Sequence, residues 1–125
     1  MRRILAIDDD PINRKLLEMY LANDFEFKVV NNAKEAIDEL NKVVFDLIVT
    51  DIHLECYEDG IWLAKTIKTL SKFEHIPVIA FTAHLISYLE RDNFKDTFDY
   101  IIEKPIIKEQ FVAKLNELLF TFNLK

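Results

Sequence analysis

One cysteine, one glycine and three prolines are all that this 125-residue chain holds of the residues that staple, hinge or break a fold. With Cys56 alone, no internal disulfide and no cysteine metal cluster can form, and Cys56 reads as an incidental loop thiol. Basic residues are also in deficit. Sixteen Lys and Arg stand against 22 Asp and Glu, a formal charge of −6, which argues against an electrostatic hold on nucleic acid or anionic lipid. No apolar run approaches the roughly 20 residues that cross a bilayer. Ile4-Leu5-Ala6-Ile7 is too short for a signal-peptide core before it meets three aspartates, so a cytoplasmic protein is expected, with no membrane partner. A single glycine and no low-complexity tract leave no internal linker. What remains is a globular balance, half hydrophobic and 30% charged, in a chain of one-domain length.

The chain turns on Phe45-Asp46-Leu47-Ile48-Val49-Thr50-Asp51. Leu47-Ile48-Val49 is apolar without alternation, as a parallel strand buried on both faces should be, and Asp51 stands at its carboxyl end. In open parallel sheets that edge collects ligands and chemistry. The other segments fit the same scheme. Ile4 to Ile7 is a strand, and Asp10-Pro11 opens a helix whose apolar side is Ile12, Leu16, Leu17 and Tyr20. Phe25 to Val30 is a second strand. Asn32 and Glu35 form a capping-box pattern before a helix with Ala36, Ile37 and Leu40 inward. Asp59-Gly60 leads into a helix carrying Ile61, Leu63, Ala64 and Ile67, and Pro77 to Phe81 is a strand ending on Thr82. His84 to Asn93 is read as helix, Asp99 to Ile102 as the fifth strand, and Ile107, Phe111, Leu115, Leu118 and Phe122 recur at helical spacing in the last helix. Strand and helix alternate five times, which predicts an α/β doubly wound parallel sheet with five helices on both faces.

Four strands of this scheme end on polar groups at one edge: Asp8 and Asp9, Asp51, Thr82, and Lys104. Three crowded carboxylates raise one another's pKa unless positive charge intervenes, and Lys104 cancels only one unit. A divalent cation is the natural remainder, and all-oxygen ligands favour Mg²⁺, with Mn²⁺ as the alternative. A hard cation beside a carboxylate, a lysine and a hydroxyl suits phosphoryl transfer, with Asp51 as nucleophile, Lys104 offsetting charge and Thr82 hydrogen-bonding a phosphoryl oxygen.

Ile7-Asp8-Asp9-Asp10-Pro11, Val49-Thr50-Asp51, Ala80-Phe81-Thr82-Ala83 and Glu103-Lys104-Pro105 together resemble the signature sites of response-regulator receiver domains. The resemblance spans the whole chain. It implies a flavodoxin-like five-stranded sheet in the order 2-1-3-4-5 and one receiver domain over residues 1–125, with no output domain in this chain. It further implies a two-component signalling switch, not an enzyme in the usual sense, in which Asp51 accepts a phosphoryl group from a phosphohistidine and later loses it. Asp9 and Asp51 would bind Mg²⁺ directly, Asp8 largely through water, and the backbone carbonyl of His53 would complete the protein ligands. Thr82 would be the switch hydroxyl, Lys104 the charge partner, and the Lys104–Pro105 peptide cis. The implied donor is a sensor histidine kinase or a histidine phosphotransfer protein. The downstream target, and whether the chain forms a homodimer, stay open.

Two departures stand out. The loop from Ile52 to Gly60 lacks the family's common Met-Pro and is one residue longer. Ile101 occupies the place where the family generally carries an inward-turning Tyr or Phe. Tyr100 is one position off and, by strand alternation, on the opposite face. His53 and His84 flank core motif residues and read as neighbours that tune the access of attacking water. Trp62 reads as packed or half-exposed on its helix. Two other functions compete: a haloacid-dehalogenase-like phosphatase using Asp8 and Asp10 as an Asp-x-Asp pair, and a pseudo-receiver that binds a partner without phosphorylation.

Overall fold

Three strands with no side open to water explain why their sequences do not alternate. The computed structural model of the chain describes residues 1–52, 59–83 and 97–123. The strands are β1 (Arg3–Ile7), β2 (Glu26–Val30), β3 (Leu47–Asp51), β4 (Val78–Thr82) and β5 (Tyr100–Glu103). They form one sheet in the order β2-β1-β3-β4-β5 with every pairing parallel, as expected. Central β3 and β4 are buried along their whole length, whereas the edge strands β2 and β5 expose part of theirs.

The helices are α1 (Pro11–Leu21), α2 (Ala33–Leu40), α3 (Asp59–Thr69) and α4 (Lys108–Asn123). The further helix expected over His84–Asn93 lies outside the described residues. On one face, α2 and α3 set Ala36, Leu40, Leu63, Ala64 and Ile67 against Leu5, Ile7, Ile48 and Ala80. On the other, α1 and α4 set Leu17, Leu21, Phe111 and Leu115 against Ala6, Val49, Ile79 and Phe81. Each fully buried large side chain contributes roughly 1.5–3 kcal/mol of transfer free energy.

Local chemistry starts the helices where the sequence says. Asp10 accepts from Ile12 N at 2.9 Å and Pro11 takes the first helical position. Asn32 accepts from Glu35 N at 2.9 Å, while Glu35 reaches back one residue further than a capping box requires, to Asn31 N at 2.9 Å.

Two expectations about stripes are corrected. Ile12 is 73% exposed and Leu16 also lies largely outside. At about 100° per residue, Ile12 falls nearly opposite the buried Leu17 and Leu21, so the inward face of α1 is Leu17, Leu21 and part of Tyr20. Ile107 is exposed as well, because α4 begins one residue later and Ile107 contributes its carbonyl, which accepts from Phe111 N at 2.8 Å.

Two carboxylates at the amino edge hold the register. Asp46 accepts from Arg3 N at 2.8 Å, and Asp99 accepts from Val78 N at 2.8 Å. Their own amides return bonds to Arg3 O and Val78 O. A one-residue slip would break both pairs and exchange the side chains that face the α2–α3 core with those that face the α1–α4 core.

Candidate functional site

Strand register assembles the charged groups. Ile7 lies beside Thr50 and Asp51 beside Phe81, so one step past the end of β1 brings Asp8 next to Asp51. Asp8, Asp51 and Lys104 each follow by two residues a side chain of the α1–α4 core: Ala6, Val49 and Ile102. Period-two alternation therefore sends all three to the same side of the sheet. Lys104 lies beyond the end of β5 and reaches back across the Phe81 ring, with Nζ 5.0 Å from its centroid. There it donates to Asp51 Oδ2 at 2.9 Å and stands 3.8 Å from Asp8 Oδ2. The aromatic face favours the ammonium and gives it a fixed floor.

Asp8 is wholly buried, and nearly all its polar atoms are engaged. Its amide donates to Val30 O at 3.1 Å, its carbonyl accepts from Arg14 Nη1 at 3.0 Å, and Oδ1 accepts from Asp10 N at 2.9 Å. Among the described residues Oδ2 alone has no hydrogen-bond partner. Burial pushes the Asp8 carboxyl up from 3.8 to about 6. The Asp10 amide pulls it down, Asp51 pushes it up, Lys104 offsets, and Asp9 adds a further upward push.

Thr82 is buried at the end of β4, one residue beyond the neighbour of Asp51, and its carbonyl accepts from Lys104 N at 2.9 Å. The Lys104–Pro105 peptide is cis. His53, His84 and Cys56 lie outside the described residues. Asp10 is exposed and its carboxylate caps α1, an arrangement that leaves the Asp-x-Asp reading without its second catalytic group. Tyr100 lies beneath Lys114 of α4, with Nζ 4.7 Å from the ring centroid, whereas Ile101 packs toward the α2–α3 core. The two neighbours face opposite ways, as alternation requires.

The donors suit a hard cation. They are oxygens, and one is a buried carboxylate oxygen without a hydrogen bond. Among the described residues no three His, Cys, Asp or Glu side chains gather closely enough to hold a metal by themselves. A backbone oxygen and water would have to complete the shell, which is usual for a cation that keeps several waters. Beside the charged groups a cleft of about 540 Å³ is lined by Leu16 and Tyr20 of α1, Phe81, Pro105 and Ile106, together with Asp8 and Lys104.

Sequence reading passed over Arg14, which ties the Asp8 carbonyl to Asn31 Oδ1 at 2.7 Å, and the Phe81 ring under Lys104. Arg14 carries no motif signal. Phe81 sits next to Thr82 in a strand where an aromatic reads as core.

Fold and site together define an α/β domain with an acidic, lysine-paired pocket at the carboxyl edge of its sheet. The family model for the response regulator receiver domain matches residues 4–116, and the chain belongs to that family of phosphorelay signalling switches. An uncharacterized 14.6 kDa protein of Leptolyngbya boryana is 29% identical over 120 residues, 95% of this chain and 91% of that one. The sensor histidine kinase RcsC of Escherichia coli is 30% identical over 104 residues, 82% of this chain but only 11% of the kinase. The response regulator TrrA of Thermotoga maritima, solved in complex with Mg(2+)-BeF, superposes with a TM-score of 0.80 at 27% identity, covering 94% of this chain and 99% of that one.

Proposed function

We propose that Asp51 is the phosphoacceptor of a two-component switch, with Lys104 as its charge partner and Thr82 as the hydroxyl that binds a phosphoryl oxygen. The observation that carries this reading is the Lys104 ammonium, 2.9 Å from Asp51 Oδ2 beside the buried Asp8. A carboxylate oxygen of Asp51 attacks the phosphorus of an N-phosphorylated imidazole. The P–N bond breaks, its electron pair stays on the ring nitrogen, and that nitrogen takes up one proton as the neutral imidazole leaves. Lys104 then neutralises charge that would otherwise repel the incoming phosphoryl oxygens. Hydrolysis of the acyl phosphate by water returns Asp51 to its carboxylate, so the chain acts as a switch on itself and not as an enzyme with a separate substrate.

Asp8, Asp9 and Asp51, with the backbone carbonyl of His53, would hold Mg²⁺, or Mn²⁺ in its place. TrrA, bound with Mg(2+)-BeF, supports this assignment. When bound, the ion supplies positive charge to the phosphoryl oxygens.

The likeness to RcsC supports a histidine kinase or histidine phosphotransfer protein as donor, and we take residues 1–125 as one cytoplasmic receiver. Among the described residues no helix is long and apolar enough to cross a membrane. RcsC, of which the match covers a small part, supports a relay role.

The deciding measurement is intact mass after incubation with acetyl phosphate, with and without Mg²⁺, beside Asp51→Asn. A Mg²⁺-dependent phosphoryl adduct in the parent and none in the variant is the expected result. A folded, Mg²⁺-binding protein that never takes the adduct from acetyl phosphate or from a phosphorylated histidine protein would leave a pseudo-receiver.

A further inference from the structure

The Asp51 carboxylate is only as well placed as the backbone that carries it, and two uncharged residues hold that backbone. Thr50, fully buried, donates from Oγ1 to the Asp51 carbonyl oxygen at 2.9 Å. The first turn of α3 lies directly on the same stretch of backbone, where Gly60 N donates to the next carbonyl, Ile52 O, at 3.2 Å. A Cβ on Gly60 would stand 2.3 Å from the Asp51 carbonyl oxygen and 2.8 Å from Ile52 Cα, both backbone atoms. Gly60 is the chain's single glycine, and its φ is not positive. Any residue could adopt that backbone, so the glycine serves close approach and not conformation.

We propose that Thr50 and Gly60 clamp the Asp51–Ile52 peptide and set where the Asp51 carboxylate meets Lys104, which makes both of them positioning residues for phosphoryl transfer. The proposal rests on Asp51 being the phosphoacceptor. Relieving the Cβ contact takes roughly 1 Å of movement. Lifting α3 to provide it would uncover Leu63, Ala64 and Ile67, all fully buried. The less costly response is a turn of the Asp51 peptide, which carries the carboxylate with it. A misplacement of that size costs up to about 10²-fold in a positioned reaction.

The test compares Thr50→Val, Thr50→Ser and Gly60→Ala with the parent, following phosphorylation by acetyl phosphate and Mg²⁺ by intact mass over a range of donor concentrations. Valine keeps the shape of threonine and loses the hydroxyl; serine keeps the hydroxyl. Thr50→Val is expected to lower the rate at saturating donor about 10-fold and Gly60→Ala about 10²-fold, at an unchanged half-saturating donor concentration. Thr50→Ser should return to within about twofold of the parent. Variants that lose thermal stability yet phosphorylate at the parent rate below their transitions would show a packing role only and overturn the clamp. If Gly60→Ala does not fold, the Thr50 pair decides. If the parent itself takes no phosphoryl group, the phosphoacceptor reading has failed, and crystal structures of the parent and Thr50→Val still judge the clamp. Separation of Asp51 Oδ2 from Lys104 Nζ beyond 3.5 Å in the variant supports it, and retention of the parent spacing rejects it.

Discussion

At the scale of single residues, Asp8 bears a conflict that the rest of the site resolves. Its carboxyl is pushed up to about 6, chiefly by burial. Between roughly pH 4 and 6 the folded chain therefore binds more protons than the unfolded one, and without a divalent cation its stability falls as pH rises through that window and levels off above it. Asp8→Asn keeps an oxygen for the Asp10 amide and deletes the titration. In metal-free protein the variant should be more stable at pH 7.5, by on the order of 2–3 kcal/mol, with the advantage gone near pH 3.5. Urea unfolding across that range measures it, and parallel pH profiles for the two proteins would contradict it. The triplet Asp8-Asp9-Asp10 was plain in the sequence, and so was the cap on Asp10; that Asp8 rather than Asp9 would be sealed inside was not. Asp10 caps a helix, Asp8 is sealed inside and Asp9 is half-buried. Three identical residues differ only in which way the chain turns beneath them.

At the scale of elements, short-range chemistry does what its pattern suggests. Asp10-Pro11 opens α1 and Asn32 opens α2, because capping bonds run between residues two or three apart and need no tertiary context. Replacing Asn32 with Ala removes the acceptor for Glu35 N and should cost about 1 kcal/mol by chemical denaturation, with the phosphorylation rate unchanged. An unchanged midpoint would mean that Glu35 and water take over the cap. Ile107 shows the limit of the same reasoning. Its spacing fits the apolar stripe of α4, but the helix starts at Lys108, and a residue outside the helix does not follow the helix's angular period.

At the scale of the molecule, the sheet decides which apolar residues count as core. Ile12 and Met19 lie on the exposed side of α1, with Leu16 at the rim of the cleft, while Leu17 and Leu21 pack into the core against the sheet. Ile12→Ser and Met19→Ser should each change stability by no more than about 0.5 kcal/mol, against about 2–5 kcal/mol for Leu17→Ala. A large loss from either serine variant would place these side chains in a contact that the monomer does not make. The sequence by itself determined the strands, the starts of α1 and α2 and the identity of the charged set, because apolar periodicity, capping and strand-end carboxylates are written in residues close along the chain. Tertiary structure alone decided that Lys104 spans Phe81 to reach Asp51, that Asp8 loses its water, that α1 turns Ile12 outward, and that the one glycine lies against the Asp51 peptide. Each of these depends on which strands are neighbours and in what register, and on the direction from which a helix meets the sheet. Such distances join residues far apart in the chain, and no local pattern encodes them.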